Sequence, residues 1–446
     1  MSDYMFMLES HLSPGQGRAL AAIDQAAREA GSPLFLVGGA MRDMLGGFPI
    51  TDLDFAFQGN GLALARRVAE VTGARILHQD ELRKSAELVF PDGVTAEIGM
   101  ARSERYAKPG ARPQVEPASI HQDLLRRDFT VNSIALSLHP ASRGLLVDPA
   151  NGLGDLHQKE LRANSNTALF DDPTRLLRLV RFRIRLGFTV ESKTQQQYEA
   201  ARQAGVESLI SPRSLLAELR QIAREPALVE VVAGLDKEKL LRLFLPSLSG
   251  PKLNLGALAK LQKARQLVPF GVPWAADTLA LVTALLTAKL PPKERSTFAR
   301  RLEMSKPEAG AWKKLEAAVR PLERKLKAAK LQRPSLVYEA LRGVPGEQIL
   351  LVYVVTKDRL VHDRIRNYLT KYLPAAQEIT DKEVIAAGYE PGSSRFEKVR
   401  QEMVAARLDG RIWRPEAAAA RSRSGKPRSA SPLRRGLPAL SARPVA

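Results

Sequence analysis

Asp52-Leu53-Asp54 is the triplet with the clearest chemistry in this chain. On a β-strand alternate side chains share a face, so both carboxylates point one way while Leu53 and Phe55 point toward a core. Two carboxylates a few Å apart repel each other unless a cation lies between them. Magnesium prefers hard oxygen ligands and binds through one or two carboxylates plus substrate phosphates. A pair of such ions would activate an attacking hydroxyl and stabilise a departing pyrophosphate. The simpler alternative is an exposed Asp-x-Asp with no ligand. Glu97 lies on a later predicted strand and reads as a third carboxylate or as an exposed edge-strand acid.

Other residues could complete such a site. Gly38-Gly39 falls between a predicted strand and a helix start, where backbone N–H groups can approach an anion. A tight turn without a ligand fits equally well. No Gly-Lys-Ser/Thr follows, so this is not a P-loop. Arg42 and Asp43 form a local ion pair or face the phosphates. Asp172 precedes Pro173, the pattern of a helix N-cap with Pro at the first position. Arg175, Arg178, Arg181 and Arg185 recur at helical spacing. They make a cationic stripe that holds phosphates or a solvated helix face. His362-Asp363 has no surrounding His/Asp set and reads as a helix-surface pair.

The elements that must position these residues change character along the chain. Ser13-Pro14 caps a helix in which Leu20 and Ile23 share a face, and Gly31 ends it. Leu34–Val37 is a short apolar strand, followed by a helix around Met41–Leu45 and a Gly-Gly turn. Asp52–Phe57 suits a half-buried strand. Further strands are expected at residues 86–90 and 94–100. Residues 104–120 contain Pro109, Gly110, Pro113 and Pro117 and read as a long mobile loop. Order resumes at Phe129–Leu138. From about residue 165 the periodicity is helical, with Leu176, Val180 and Ile184 as one buried stripe. Breaks are expected near Pro246–Pro251, Pro269–Pro273, Pro291–Pro292 and Pro345. Ser394 to Glu397 has the form of a capping box opening a helix with Phe396, Val399 and Met403 on its apolar stripe. After Trp413 the composition collapses to Ala, Arg, Ser and Pro, a disordered basic tail.

The bulk numbers narrow the function classes. The 446 residues carry a net charge of +20, which favours a polyanionic partner such as nucleic acid. Cysteine is absent, which excludes disulfides and thiolate metal sites. No apolar run approaches the roughly 18–20 residues of a membrane span. No signal peptide is evident, so a cytoplasmic location without membrane attachment is expected.

Together the motifs resemble class II tRNA nucleotidyltransferases and the related bacterial poly(A) polymerases. Leu36 to Leu45 followed by Asp52-Leu53-Asp54 is similar to the family's first motif, and Arg126 to Ala135 to its second. Asp148-Pro149, Gly152 to Leu156 and Leu161-Arg162 resemble its hinge segment. Asp171-Asp172-Pro173-Thr174-Arg175, continuing to Phe188, resembles its nucleotide-selecting motif. The resemblance implies an α+β chain, with a polymerase-β-like head followed by all-helical neck, body and tail domains. The boundaries expected are 1–145 for the head, 146–210 for the neck, 211–290 for the body and 291–413 for a tail binding tRNA. Residues 414–446 would form the disordered basic extension.

The resemblance also implies roles. Asp52 and Asp54 would bind Mg2+, with Glu97 as the further catalytic acid. Gly38 and Gly39 would lie against the triphosphate with Arg42 nearby. Arg126, Arg127 and Asp128 would contact sugar and phosphates. Asp171, Asp172 and Arg175, with Arg178 beside them, would form the rest of the nucleotide site. A carboxylate can accept from the exocyclic amine of cytosine or adenine while a guanidinium donates to the adjacent ring acceptor. Guanine and uracil present the opposite order. The family carries Glu where this chain has Asp171, which shortens that side chain's reach. Ala101 to Tyr106, with Pro109 and Pro113, resembles the mobile loop used for the final A addition. Ile379-Thr380 and Gly388 to Gly392 resemble the tail signature of some members, with Ser393-Ser394 replacing a proline-containing step.

The expected function is therefore addition of CCA, from CTP and ATP, to the 3′ end of tRNA. Addition of A alone, poly(A) synthesis, and an RNA-binding protein without catalysis are the alternatives.

Overall fold

The computed structural model describes residues 3–269, 271, 272 and 274–414. A seven-stranded mixed sheet dominates the first third. Its strands are β1 (Leu34–Val37), β2 (Leu53–Phe57), β3 (Arg75–Asp80), β4 (Ser85–Val89), β5 (Thr95–Met100), β8 (Ala135–Ser137) and β9 (Leu146–Val147). The spatial order is β3-β4-β5-β2-β1-β8-β9. Between β5 and β8, the strands β6 (Arg102–Arg105) and β7 (Gln114–Pro117) pair as a separate antiparallel hairpin.

Side-chain alternation divides the sheet into two faces. Leu34, Leu36, Leu53, Phe55, Phe57, Leu88 and Ile98 join one buried core with the Pro14–Glu29 and Gly61–Thr72 helices. Phe35, Val37 and Ala56 point the other way and pack against Ile120 and Leu124 of the Ile120–Leu125 helix. Asp54 lies between Leu53 and Phe55, so it shares the face of Ala56.

The Pro14–Glu29 helix starts as its sequence predicts. Ser13 and Gln16 cap each other's backbone reciprocally. Gly31 follows the helix end with a φ of +68°, a conformation that favours glycine. The Gly61–Thr72 helix and β3 were not anticipated. Asn60 caps that helix, and Leu62, Leu64, Ala65 and Val68 are its buried residues.

The remainder is largely helical, and one continuous apolar core runs from Phe129 to Leu373. Leu176, Leu177 and Val180 are buried in it on the Thr174–Leu186 helix, with Ile184 packed against its edge. A smaller cluster of Ala376, Ile379, Val384, Phe396, Val399 and Val404 forms a second core near the C-terminal end of the described chain. Pro292 and Pro345 mark helix starts, as expected. Pro321 lies inside the Lys306–Lys327 helix.

Four expectations need correction. Residues 104–120 are not one loop, because the β6–β7 pairing and the Ile120–Leu125 helix occupy both ends. The prolines cluster at the hairpin's turn and edge, where an N–H is dispensable. The neck is not all-helical, since β10 (Glu160–Leu161) and β11 (Thr189–Val190) form a small parallel pair. β9 belongs to the head sheet although it follows residue 145. Ser394 does not open a capping box. The last described helix spans Phe396–Leu408, and its N-cap position, Arg395, makes no side-chain cap bond. The expected basic extension, residues 415–446 in particular, lies outside the described residues. Among those described, no helix is long and apolar enough to cross a membrane.

Candidate nucleotide and metal site

The centre of the candidate site is Asp54. Parallel pairing of β2 with β5 places Asp54 opposite Glu97, and antiparallel pairing of β4 with β5 places Glu87 opposite Glu97. Three acids thus stand in a row across three adjacent strands. Asp52 lies just before β2, where its Oδ1 accepts the Thr95 hydroxyl at 2.5 Å. Burial, reinforced by the charges of Glu97 and Asp52, pushes the Asp54 carboxyl up to about 7. Arg127 and the Gly39 N–H act in the opposite direction.

Gly38 and Gly39 open the Gly38–Leu45 helix directly beneath this carboxylate. The Gly39 N–H donates to Asp54 Oδ2 at 3.2 Å. A β-carbon on Gly38 would stand 2.9 Å from Arg127 Nη1, and one on Gly39 would stand 3.3 Å from Asp54 Oδ2. The φ of Gly38 is +64°. Both glycines therefore leave room for an acid and a guanidinium to pack on a helix N-terminus.

The donor set fits a divalent cation. A buried carboxylate crowded by like charges gains most from a positive ion. Among the described residues, no three His, Cys, Asp or Glu side chains group as a metal cage. Asp52 and Asp54 would thus supply the protein ligands, leaving the rest to water and phosphate oxygens, as magnesium allows.

Arg126 and Arg127 are held by a residue that motif spacing did not single out. Asp123 accepts from Arg126 Nη2 at 2.5 Å and from Arg127 Nη2 at 2.8 Å. Burial alone would raise the Asp123 carboxyl, but the two guanidiniums hold it well below the carboxylate range. Ser119 and Gln122 form a capping box on that helix, fixing Asp123 in its first turn. The signal was present in sequence, because Asp123 precedes the two arginines by three and four residues.

Glu104 on β6 ties the hairpin to the same group. It accepts from Arg102 Nε at 2.8 Å, Arg126 Nη1 at 3.3 Å and the Tyr106 hydroxyl at 2.8 Å. Burial works against its ionisation, yet Arg126, Arg102 and Tyr106 outweigh it and lower the carboxyl to about 2. At the hairpin's turn, the Gly110 N–H reaches the Asp171 carbonyl at 3.3 Å.

The base-reading candidates lie behind Arg126. Asp172 Oδ1 accepts the Thr174 N–H at 3.1 Å, but the helix begins at Thr174 with Pro173 as its N-cap position, one residue later than the sequence pattern suggests. The other Asp172 oxygen lies 3.9 Å from Arg175 Nε. That Nε is buried and has no hydrogen-bond partner. Arg175 spends its remaining donors on backbone: Nη2 on the Arg126 carbonyl at 2.7 Å and Nη1 on the Ala168 carbonyl at 3.4 Å. Asp171 accepts the Thr167 hydroxyl at 2.7 Å.

Asp128 connects this wall to the first motif. Its Oδ1 accepts the Phe129 N–H at 2.8 Å and Asn132 Nδ2 at 2.9 Å. Asn132 Oδ1 accepts from Arg42 Nη1 at 2.7 Å. Arg42 is buried and also pairs with Asp43 at 2.7 Å. Of its two sequence readings, the ion pair is the one observed, and its guanidinium does not line the open face.

The arginine stripe is also reassigned. Arg178 pairs with Glu218 at 2.6 Å and Asp128 at 3.5 Å. Arg181 pairs with Glu225 at 2.7 Å, and Arg185 with Asp43 at 2.7 Å. Glu218 and Glu225 come from the Pro212–Arg224 helix and the residue after it. Arg178, Arg181 and Arg185 thus form an ion-pair network joining three parts of the chain, in which Arg181 is buried and Arg178 keeps about 35% of its side chain exposed. Periodicity could not show this, because the acids lie 40 or more positions away. Arg224, also unanticipated, pairs with Glu87 at 2.6 Å at the end of the acidic row. His362 and Asp363 are a surface pair at 3.9 Å, as read from sequence.

Similarity to known proteins agrees with this arrangement. Residues 34–162 match the model of the poly(A) polymerase head domain. Over 424 residues the chain is 29% identical to an A-adding tRNA nucleotidyltransferase of Geobacter sulfurreducens, covering 92% of this chain and 47% of that protein. It is 37% identical over 260 residues to an A-adding tRNA nucleotidyltransferase of Halalkalibacterium halodurans, covering 57% of this chain and 61% of that protein. The chain thus spans between about half and three-fifths of the length of these two relatives. The solved apo form II of a CCA-adding enzyme has the same fold, with a TM-score of 0.51 and 22% identity over 95% of this chain and 99% of that one. Matching motifs, sheet and helical remainder agree: residues 34–162 match a poly(A) polymerase head domain, in a chain that is similar over most of its length to a tRNA nucleotidyltransferase and shares the fold of a CCA-adding enzyme.

Proposed function

We propose that this protein adds nucleotides to the 3′ end of tRNA without a nucleic-acid template, the terminal adenosine among them. The observation that carries the reading is one continuous wall. It runs from Asp54 on Gly39, through Arg127 and Arg126, to Arg175 beside Asp172.

In this reading Asp52 and Asp54 hold the metal, magnesium, and Asp54 is ionised when it is bound. Held by these two carboxylates, magnesium would supply Lewis-acid polarisation of the phosphoryl group and charge stabilisation for the leaving pyrophosphate. Glu97, exposed beside Asp54, takes the proton of the RNA 3′ hydroxyl. That oxygen bonds to the α-phosphorus of the nucleotide as the bond to pyrophosphate breaks. Arg126 and Arg127, pre-positioned by Asp123, neutralise phosphate charge. Asp128 meets the sugar. Asp172 accepts from the base's exocyclic amine, and the unpartnered Arg175 Nε supplies a donor toward the ring acceptor. Uracil and guanine leave these groups mismatched.

Two readings differ in the number of additions. Completion of CCA from CTP and ATP follows from a site that accepts both bases. Addition of A alone is favoured by relatives named A-adding tRNA nucleotidyltransferases in three different organisms. The test supplies purified protein with tRNAs lacking CCA, ending in C, and ending in CC, each with labelled CTP or ATP. C incorporation on the first two, together with A incorporation on the CC end, supports the CCA reading. A incorporation confined to the CC end establishes the A-only reading. Failure on all three tRNAs, or long A tails on unrelated RNA, overturns the proposal.

A further inference from the structure

The acidic row across the sheet has a cation at each end, and the two are held differently. At the Asp54 end, Arg127 is fixed by Asp123, a buried acid outside the row. Asp123 accepts from Arg127 Nε at 3.1 Å and from its Nη2 at 2.8 Å. At the other end, Arg224 takes the last acid of the row itself as partner. Its Nη2 donates to Glu87 Oε1 at 2.6 Å. Arg224 keeps 34% of its side chain exposed and Glu87 keeps 25%.

Arg224 is the last residue of the Pro212–Arg224 helix. The next residue, Glu225, is anchored separately by Arg181 and Arg185. The backbone under Arg224 is therefore fixed, while its side chain spans to the sheet. Strand register sets Glu87 opposite Glu97 and Glu97 opposite Asp54. Adjacent strands lie about 4.8 Å apart, so Glu87 stands about 10 Å from Asp54 along the row. Charges on a partly buried face act over such a distance with limited screening. Burial works against the Arg224 charge, yet Glu87 and, beyond it, Asp52 and Glu97 hold it above its ordinary value.

A tethered guanidinium beside a divalent-ion site opposes the ion in two ways. It screens the carboxylates while the ion is absent, and it repels the ion when it arrives. A triphosphate can offset both effects, because its oxygens bring ligands and negative charge of their own.

We propose that Arg224 is a built-in counter-ion of the acidic row, competing with the divalent cation for Asp52 and Asp54 and keeping the nucleotide-free site weakly loaded. It rests on the metal reading of Asp52 and Asp54 above, and not on which base is added or to which RNA. By linkage the opposition is mutual, so a bound ion weakens the Arg224–Glu87 tie.

The test measures Mn2+ binding to the full chain, without nucleotide or RNA, from the free-ion signal in electron paramagnetic resonance. Manganese takes the same hard oxygen ligands as magnesium. Arg224→Gln should bind Mn2+ about three- to ten-fold more tightly than the parent. Glu87→Gln breaks the same ion pair but removes an acid and leaves Arg224 free to turn toward Glu97 and Asp52. It should bind at least about two-fold more weakly. Arg224→Lys keeps the charge and should bind as the parent does. A merely structural tie would move both Gln variants in one direction, since both lose it. Unchanged or weaker binding in Arg224→Gln overturns the proposal, as does a shift of both Gln variants the same way. A parent that binds no Mn2+, or an Asp52→Ala variant that binds as the parent does, overturns the metal reading and the proposal with it.

Discussion

Arg175 donates from Nη2 to the Arg126 carbonyl at 2.7 Å. The residue proposed to read the base is therefore anchored on the residue proposed to hold phosphate. Arg175→Ala should lower discrimination of CTP and ATP against UTP and GTP more than it weakens RNA binding. It also leaves a buried carbonyl unpaired, which costs about 1–3 kcal/mol. Parallel measurement of kcat/KM for the four nucleotides and of melting separates the two effects. Unchanged selectivity would remove Arg175 from the reading role.

Asp54→Asn and Asp52→Ala should each reduce transfer by at least about 1,000-fold, the order expected from losing several kcal/mol of metal assistance. RNA affinity should change little. Chelation of divalent ions should stop the parent enzyme, and magnesium should restore it. Retained transfer in either variant would displace these residues from the metal.

Gly38→Ala forces a side chain into φ +64°, at a cost of about 1–2 kcal/mol. Its β-carbon would also push on Arg127 Nη1 at 2.9 Å. Displacing that guanidinium from Asp54 should lower kcat by up to about 100-fold. Single-turnover kinetics and a melting curve test this. A variant as active as the parent would show that Arg127 need not occupy this position.

Glu104 gives a pH prediction. Its carboxyl is held at about 2, below the ordinary 4.5. A lowered carboxylate contributes stability that is present above the unfolded value and is lost as pH falls through the folded one. The stability gap between parent and Glu104→Gln should be about 3 kcal/mol at neutral pH. It should close between pH 4.5 and 2. Denaturant titrations at pH 7, 4 and 3 measure it, and a gap independent of pH would contradict the assigned charge contacts.

Asp43→Asn should destabilise the parent by about 3 kcal/mol, because it leaves Arg42 buried without its counter-charge. It also releases Arg185 from the head. Limited proteolysis between the sheet and the helices should accelerate. A neutral effect on melting would show that Glu225 alone suffices to hold Arg185.

Much of the site was legible in sequence, for local reasons. The alternation at Asp52–Phe57 told which side chains share a face, because a strand has period two. The Gly38-Gly39 step and the helix start just after Asp172-Pro173 are short-range backbone signals. The motif order supplied the family resemblance. The helix at residues 61–72 carries its own local signal, in its Asn60 cap and apolar spacing. The hairpin at residues 102–117 was hidden, because prolines at a turn resemble prolines in a loop.

What the sequence determined by itself was the kind of chemistry: a carboxylate pair at the start of a strand, a glycine step before a helix, and a strongly basic chain. Tertiary structure decided which charges are free to use. Arg42, Arg181 and Arg185 are consumed by Asp43 and Glu225, and Arg178 by Glu218 and Asp128. Arg126 and Arg127 are fixed by Asp123, and Glu97 is placed beside Asp54 by strand register. These partners lie up to 142 residues apart, as Arg185 and Asp43 do. Only packing brings such groups together, and only burial converts their separate charges into paired ones.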